Sequence, residues 1–363
     1  MRRLRLGRLA GNRGGMVIIT VLWVLVLLSF LSLSLGQSTR IEFALANNFI
    51  GKIKSKYLAW GGVQYALHLI EEDTADEESA KFDSLTWCAV RPVADKTAED
   101  LFQRHELGDG YFEIGYWHRQ ADGAKPVHAY GMADEERRIN LNTVTKNNFL
   151  ILSTLIQELG YEEEVALTVT HGVIDWRDPD DVLNDSEYGA ELEYYQGLEK
   201  PYRPKNMQFE SLEELLLIRG VTPELFADLK PYVTLFPPGG ELRINFNTAP
   251  EIMLRSLAIA VSGRASGTDE NDAESLVRKM LDYRRGDDRI ENTGDDRIIE
   301  ADGLMLNRRE QALFIRMSNL HRTRKANFVR VFVTGVDQNR MVTSTIEAVI
   351  GRDNLDMVYW KRN

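Results

Sequence analysis

Twenty consecutive residues without a charge, Met16–Leu35, limit what the first element of this chain can be. As a helix they are about 30 Å long, the thickness of a bilayer's hydrocarbon core. Upstream stand Arg2, Arg3, Arg5, Arg8 and Arg13, with no acid among them. Positive flanks are retained on the cytoplasmic side of a membrane, so the body of the chain is expected on the other side.

The order of residues at the junction carries more. A secretory signal has a shorter apolar stretch, with a small-residue cleavage site after it. Here the small pair Gly14-Gly15 precedes the apolar run. That order resembles a class III signal, cut by prepilin peptidase between glycine and the next residue. Such a cut would release Met1–Gly15 and leave Met16 at the head of the apolar helix. The other reading is an uncleaved single-span anchor.

The chain has 363 residues, 44% of them hydrophobic, enough for two domains with real cores. Its formal charge is −11, and losing five arginines with Met1–Gly15 would take the side chains to −16. An acidic body argues against nucleic acid or anionic lipid as a partner. Cys88 is the only cysteine, so no disulfide can form within the chain. It reads as a small buried residue rather than a nucleophile.

Apolar residues recur three or four apart at Leu45, Phe49, Ile53, Tyr57, Val63, Leu67 and Ile70, which predicts that the anchor continues as a long helix. Gly36, Gly51, Gly61 and Gly62 each weaken it by about 1 kcal/mol relative to Ala. Unbroken from Met16 to Glu72 it is about 85 Å long, and a break near Gly61 is the alternative. The acidic run Glu71–Glu78 ends it. Residues 110–118 alternate and are aromatic-rich, which predicts a strand, with Val127–Met132 as its partner across Asp122-Gly123. After Asp134-Glu135-Glu136 the character changes, and residues 139–320 read mostly helical. Asn327–Gly335 and Met341–Gly351 read as a hairpin, and Met357–Trp360 as a short strand. Strand material thus flanks a helical block, which predicts an α+β fold with an inserted all-α domain.

The block contains a repeat. Arg138-Ile139-Asn140-Leu141-Asn142-Thr143-Val144 recurs as Arg243-Ile244-Asn245-Phe246-Asn247-Thr248-Ala249, and Ile174-Asp175-Trp176-Arg177 as Leu281-Asp282-Tyr283-Arg284. The near-constant offset predicts two copies of one helical unit. Each Asn-x-Asn-Thr suits a helix start, since Asn and Thr side chains accept from first-turn N–H groups. Between the copies, residues 211–226 look like a helix-hairpin-helix. It has Thr222-Pro223 in place of a second hairpin glycine, and it carries Glu210, Glu213, Glu214 and Glu224. Acids there favour packing over contact with a DNA backbone.

Asp175, Asp178, Asp180 and Asp181 crowd into seven residues, with Glu187 and Glu191 following. Calcium takes six to eight oxygens and suits such a loop outside the cytoplasm, although the spacing is not that of an EF-hand. The other reading is a solvated acidic loop. Asp287, Asp288, Asp295 and Asp296 form a second, weaker cluster. No zinc pattern, phosphate loop, Ser/His/Asp set or catalytic carboxylate pair is visible, so the chain does not read as an enzyme.

The ordered set resembles the minor pseudopilin K family of type II secretion (general secretion pathway protein K). It comprises Gly15-Met16 with Val21–Leu25, Ile139–Thr143, Asp175–Asp178, Tyr188–Glu191 with Tyr194-Tyr195, Pro204–Asn206 with Glu213–Leu215, and Ile244–Pro250. The fifth position after the cut, Glu in most pilins, is Thr20 here, as the K family implies. Met16 replaces the commoner Phe, and the resemblance makes it the N-methylated residue. The implied organisation is a leader over 1–15, a transmembrane pilin helix over 16–72, and a pseudopilin α/β domain over 73–135 and 321–363. An inserted helical domain occupies 136–320. The implied function is to form or cap the tip of a periplasmic pseudopilus and help start its assembly. The implied partners are the I and J minor pseudopilins, other pseudopilus subunits, prepilin peptidase and the inner-membrane assembly platform, with no nucleic acid. The implied location is a single pass of the inner membrane with the C-terminal domain in the periplasm. Calcium binding in other family members adds weight to Asp175, Asp178, Asp180, Asp181, Glu187 and Glu191 as ligands. Competing readings are a minor component of another type IV-like filament, a membrane-tethered nucleic-acid-binding module and an anchored enzyme.

Overall fold

The computed structural model describes residues 13–75, 98–118, 127–263, 267–289, 291, 295–323 and 326–362. Cys88, the Asp122-Gly123 turn and residues 1–12 of the expected leader lie outside them.

Helix α1 runs unbroken over Arg13–Ala75. It is the one helix among the described residues long and apolar enough to cross a membrane. Its first half stands exposed, while Leu58, Ala59, Val63, Ala66, Leu69 and Ile70 are buried. The glycines do not break the helix: Gly36 faces open space, while Gly51, Gly61 and Gly62 are packing positions. A Cβ on Gly62 would collide with Val333 and Phe112, and one on Gly335 with the α1 backbone at Ser55 and Ala59. The helix lies closer to the sheet than any side chain at those positions would allow.

After α2 (Ala98–Phe102) come β1 (His105–Leu107), β2 (Gly110–His118), β3 (Val127–Tyr130) and β4 (Ala133–Asp134). The helical block then holds β5 (Ile139–Asn140), α3 (Phe149–Glu158), α4 (Glu163–Arg177), α5 (Leu192–Gln196), α6 (Pro223–Leu229), β6 (Val233–Thr234), β7 (Ile244–Asn245), α7 (Glu251–Val261), α8 (Glu270–Arg284), α9 (Arg308–His321) and β8 (Arg322–Thr323). Strands β9 (Phe328–Asp337), β10 (Val342–Gly351) and β11 (Met357–Arg362) return to the sheet. The sheet is antiparallel, in the order β1-β2-β9-β10-β11, with β3 added to β2 and β4 to β9. Ile114, Val329, Val331, Val333, Ile346, Ala348 and Ile350 form one core with α1. The block has a larger core of its own, including Leu152, Val169, Trp176, Leu225, Phe246, Leu254, Leu276 and Phe314.

Two ends of the sheet can be told apart along α1. Gly51 meets Val342 and Arg340, at the hairpin between β9 and β10. Asp73 lies 3.6 Å from Arg352, just past the other end of β10. Those positions are about 33 Å apart along the helix. The block leaves and rejoins the sheet at the Asp73 end, through β4 paired with Val329-Arg330 and the start of β9. It therefore sits at the end away from the apolar anchor.

The repeat is structural. Asn140 and Asn245 each accept through Oδ1 from the backbone N–H two residues on, at 3.0 and 3.1 Å. The first opens a single 3₁₀ turn, Leu141–Thr143, and α3 starts only at Phe149. The Asn caps thus hold tight turns, not the starts of α-helices. β5 pairs with β6 and β7 with β8, both parallel. The last residue of α4, Arg177, donates to the carbonyls of Leu141 and Val144. The last residue of α8, Arg284, donates to those of Phe246 (3.1 Å) and Ala249 (2.7 Å). The same contacts recur at matching positions in both copies.

Candidate functional site

The acidic loop is where chemistry concentrates. Asp175 lies in the last turn of α4, Asp178 follows it, and Glu191 precedes α5. Each offers an oxygen within 4.8 Å of the others. Asp175 is fully buried and Glu191 is 3% exposed. Asp175 accepts from the backbone N–H groups of Asn184 (2.9 Å) and Ala190 (2.7 Å), which folds the loop back onto the helix. A Cβ on Gly189 would collide with the Asp175 carboxylate, so only glycine admits this close return.

Both carboxylate oxygens of Glu191, and Oδ1 of Asp178, are buried without a hydrogen-bond partner. Burial, then the charges of Asp175 and Asp178, pushes Glu191 up to about 8. Burial pushes Asp175 up to about 6 against its two N–H donors. Burial and then Asp180 raise Asp178. Three carboxylates this close and this dry need protons or a cation, and a hard divalent ion with oxygen ligands fits the donor set.

The other three expected ligands are not in the group. Asp180 accepts from the Val182 N–H, Asp181 from Asn206 Nδ2, and Glu187 is exposed. Local turns spend their carboxylates on backbone and side-chain N–H groups or turn them to solvent. The second cluster does not gather either. Asp295 accepts from the N–H groups of Asp287 (2.6 Å) and Asp288 (3.1 Å), and Arg297 donates to Asp287 (2.6 Å).

In the hairpin over 211–229, a Ser211–Glu214 capping box opens a 3₁₀ helix, Leu212–Leu217, and α6 follows. The hairpin's Arg219 is turned inward, donating to the carbonyl of Gly189 at 2.9 Å. Lys205 lies 3.1 and 2.9 Å from the carboxylates of Glu210 and Glu214. Gly15 and Met16 both lie in the first turns of α1. The Thr20 hydroxyl donates to the carbonyl of Val17 at 2.8 Å, so its polarity is satisfied within its own helix.

One charged network escaped the sequence reading. Asp134, Glu135 and Glu136, where the strand pattern ends, are all buried. Asp134 accepts from Asn245 Nδ2 (2.8 Å) and Thr248 Oγ1 (2.6 Å), in the second repeat. Glu135 accepts from Arg330 through Nε (2.5 Å) and Nη2 (3.0 Å), from Arg138 (3.1 Å), and from the Thr234 hydroxyl. Glu136 accepts from the Asn327 N–H at 2.7 Å. The triplet fastens both halves of the block to the returning strand. Burial alone would raise Glu135, but Arg330 and then Arg138 outweigh it and hold it down at about 2. Burial outweighs the carboxylate at Arg138, taking it down to about 10, so the two-point partner Arg330 carries most of the pairing. The only signal in the sequence is acids followed directly by Arg137-Arg138; Arg330 is too distant to infer.

Comparison with known proteins places this geometry. Residues 137–238, which hold the first repeat, the acidic loop and the hairpin, match the family described as Type II secretion system (T2SS), protein K. Type II secretion system protein K of Aeromonas hydrophila is 42% identical over 94 residues, 26% of this chain and 28% of that one. That of Pectobacterium carotovorum subsp. carotovorum is 25% identical over 239 residues, 65% of this chain and 67% of that one. In the crystal structure of the GspK-GspI-GspJ complex from the enterotoxigenic Escherichia coli Type 2 Secretion System, one chain shares the fold. It has a TM-score of 0.56 at 14% identity, over 90% of this chain and 99% of that one. The first copy of the repeat, the acidic loop and the hairpin thus all fall inside the stretch that matches the type II secretion system protein K family, and the second copy lies beyond it.

Proposed function

We propose that this chain is a minor pseudopilin of type II secretion that forms or caps the tip of a periplasmic pseudopilus and helps start its assembly. Residues 16–35 hold it in the inner membrane, with everything after them in the periplasm, as the arginine-rich flank argues. The observation that carries the reading is the position of the helical block. It sits at the end of the sheet away from the anchor, joined there through β4 and the start of β9. A body of that bulk obstructs a subunit added above and leaves the exposed first half of α1 free to pack among other helices. Thr20, satisfied within its own helix, makes no demand for a charged neighbour above. The I and J pseudopilins are its proposed partners, as in the related complex.

The group Asp175, Asp178 and Glu191 is proposed to hold a calcium ion, which would neutralise the buried carboxylates and close the loop over 178–191. Its role is structural.

Mass spectrometry of the membrane-extracted protein tests the assignment. A mature start at N-methylated Met16 is expected, with Gly15→Leu blocking the cut because the peptidase needs a small residue there. A start at Met1 in the wild type overturns the pseudopilin reading.

A further inference from the structure

The two copies in the helical block carry opposite charges just after their second helices. After the arginine that ends the second helix of each copy, the first copy has Asp178 and the second has Arg285. In the first copy that acid joins Asp175 and Glu191, and its Oδ1 and both carboxylate oxygens of Glu191 are buried without a donor. In the second copy a carboxylate again comes back to the end of the helix, but it is Glu291, and it meets two guanidinium groups. Arg284 donates to it at 2.7 Å and Arg285 lies 3.4 Å away. Glu291 shields Arg284 from solvent, leaving that side chain 6% exposed. Arg284 also holds the carbonyls of Phe246 and Ala249, as Arg177 holds those of Leu141 and Val144.

We propose that the two copies are closed by different cations: a bound divalent ion in the first, and the chain's own Arg285, acting with Arg284, in the second. This rests on the calcium reading for the first copy. The divalent ion then orders residues 178–191 and leaves the second copy untouched. The charge reversal from Asp178 to Arg285 is what frees the second copy from metal, since a guanidinium fixed to the backbone cannot dissociate. A carboxylate facing two arginines also has no net charge left to attract a divalent ion.

Hydrogen–deuterium exchange on the full chain in detergent tests this, with calcium and with chelator. Chelation should speed exchange over 178–191 by about tenfold or more and leave 284–291 unchanged. Arg285→Gln should do the reverse, opening 284–291 by a similar factor whether or not calcium is present, while Arg285→Lys, which keeps the charge, should retain most of the protection. Chelation that opens both segments overturns the proposal. So does an Arg285→Gln variant in which 284–291 exchanges as in the wild type. If chelation moves neither segment while Arg285→Gln opens the second, the calcium reading itself has failed and the contrast fails with it, a result distinct from the other two.

Discussion

Replacing Glu135 by Gln removes one charge and almost no volume from the joint between sheet and block. The wild-type carboxylate is fully buried and accepts from Arg330, Arg138 and Thr234. Its pKa falls from 4.5 to about 2 on folding. At 1.36 kcal/mol per unit, that shift corresponds to about 3 kcal/mol of stabilisation at neutral pH. The figure agrees with the roughly 3–5 kcal/mol measured when one member of a buried pair is removed. In the variant Arg330 keeps Glu347, but Arg138 is left against an amide. Thermal unfolding of the full chain in detergent, followed by near-ultraviolet circular dichroism, should show a loss of about 6–12 °C at pH 7. The sign with pH follows from the depressed pKa. The wild type's advantage is full above about pH 4.5 and drains away as pH falls towards about 2, so the two proteins should converge in acid. A variant within about 0.5 kcal/mol of wild type at pH 7, or a gap that persists undiminished at pH 2, refutes the assignment of this charge as the fastener.

Other perturbations separate packing from charge. Gly335→Ala drives a methyl into the α1 backbone at Ser55 and Ala59 and should cost about 1–3 kcal/mol, read by the same unfolding measurement; an unchanged midpoint contradicts the close helix–sheet approach. Arg284→Leu strands two buried carbonyls and Glu291, and should cost about 2–5 kcal/mol, with Arg177→Leu a comparable loss; a neutral effect at both would show that the repeated contacts do not hold the turns. Without a cation Glu191 holds a proton up to about pH 8 and Asp175 up to about 6, so calcium must displace protons. Affinity by titration calorimetry should rise up to about tenfold per unit from pH 6.5 to 8 and level off above. A flat profile argues against these carboxylates as ligands.

The fold was legible in the sequence wherever local chemistry repeats with a fixed period. The charge-free run, the spacing through Leu45, Phe49 and Ile53, and the β-branched strands near the C-terminus each follow from burial of one face, so α1, β2 and the β9–β10 hairpin fall close to where the pattern puts them. The repeat was legible for the same reason, since two copies of one packing problem keep the same apolar and capping residues.

What stayed hidden depends on residues far apart in the chain. Gly62 reads as a weak point in a helix until Val333 and Phe112 are seen against it. Asp180, Asp181 and Glu187 have the same composition as the three acids that meet, and only the turn at Asn184 and Ala190 decides which carboxylates face inward. Glu135 pairs with Arg330 across 195 residues, and no local pattern reports that contact. The sequence by itself determined the apolar anchor, the long helix, the main strands and the duplication, because these follow from periodicity and charge along a short stretch. Only the tertiary structure decided which charges are buried and with whom, because desolvation makes a charge costly or useful according to what the folded chain brings within a few ångströms of it.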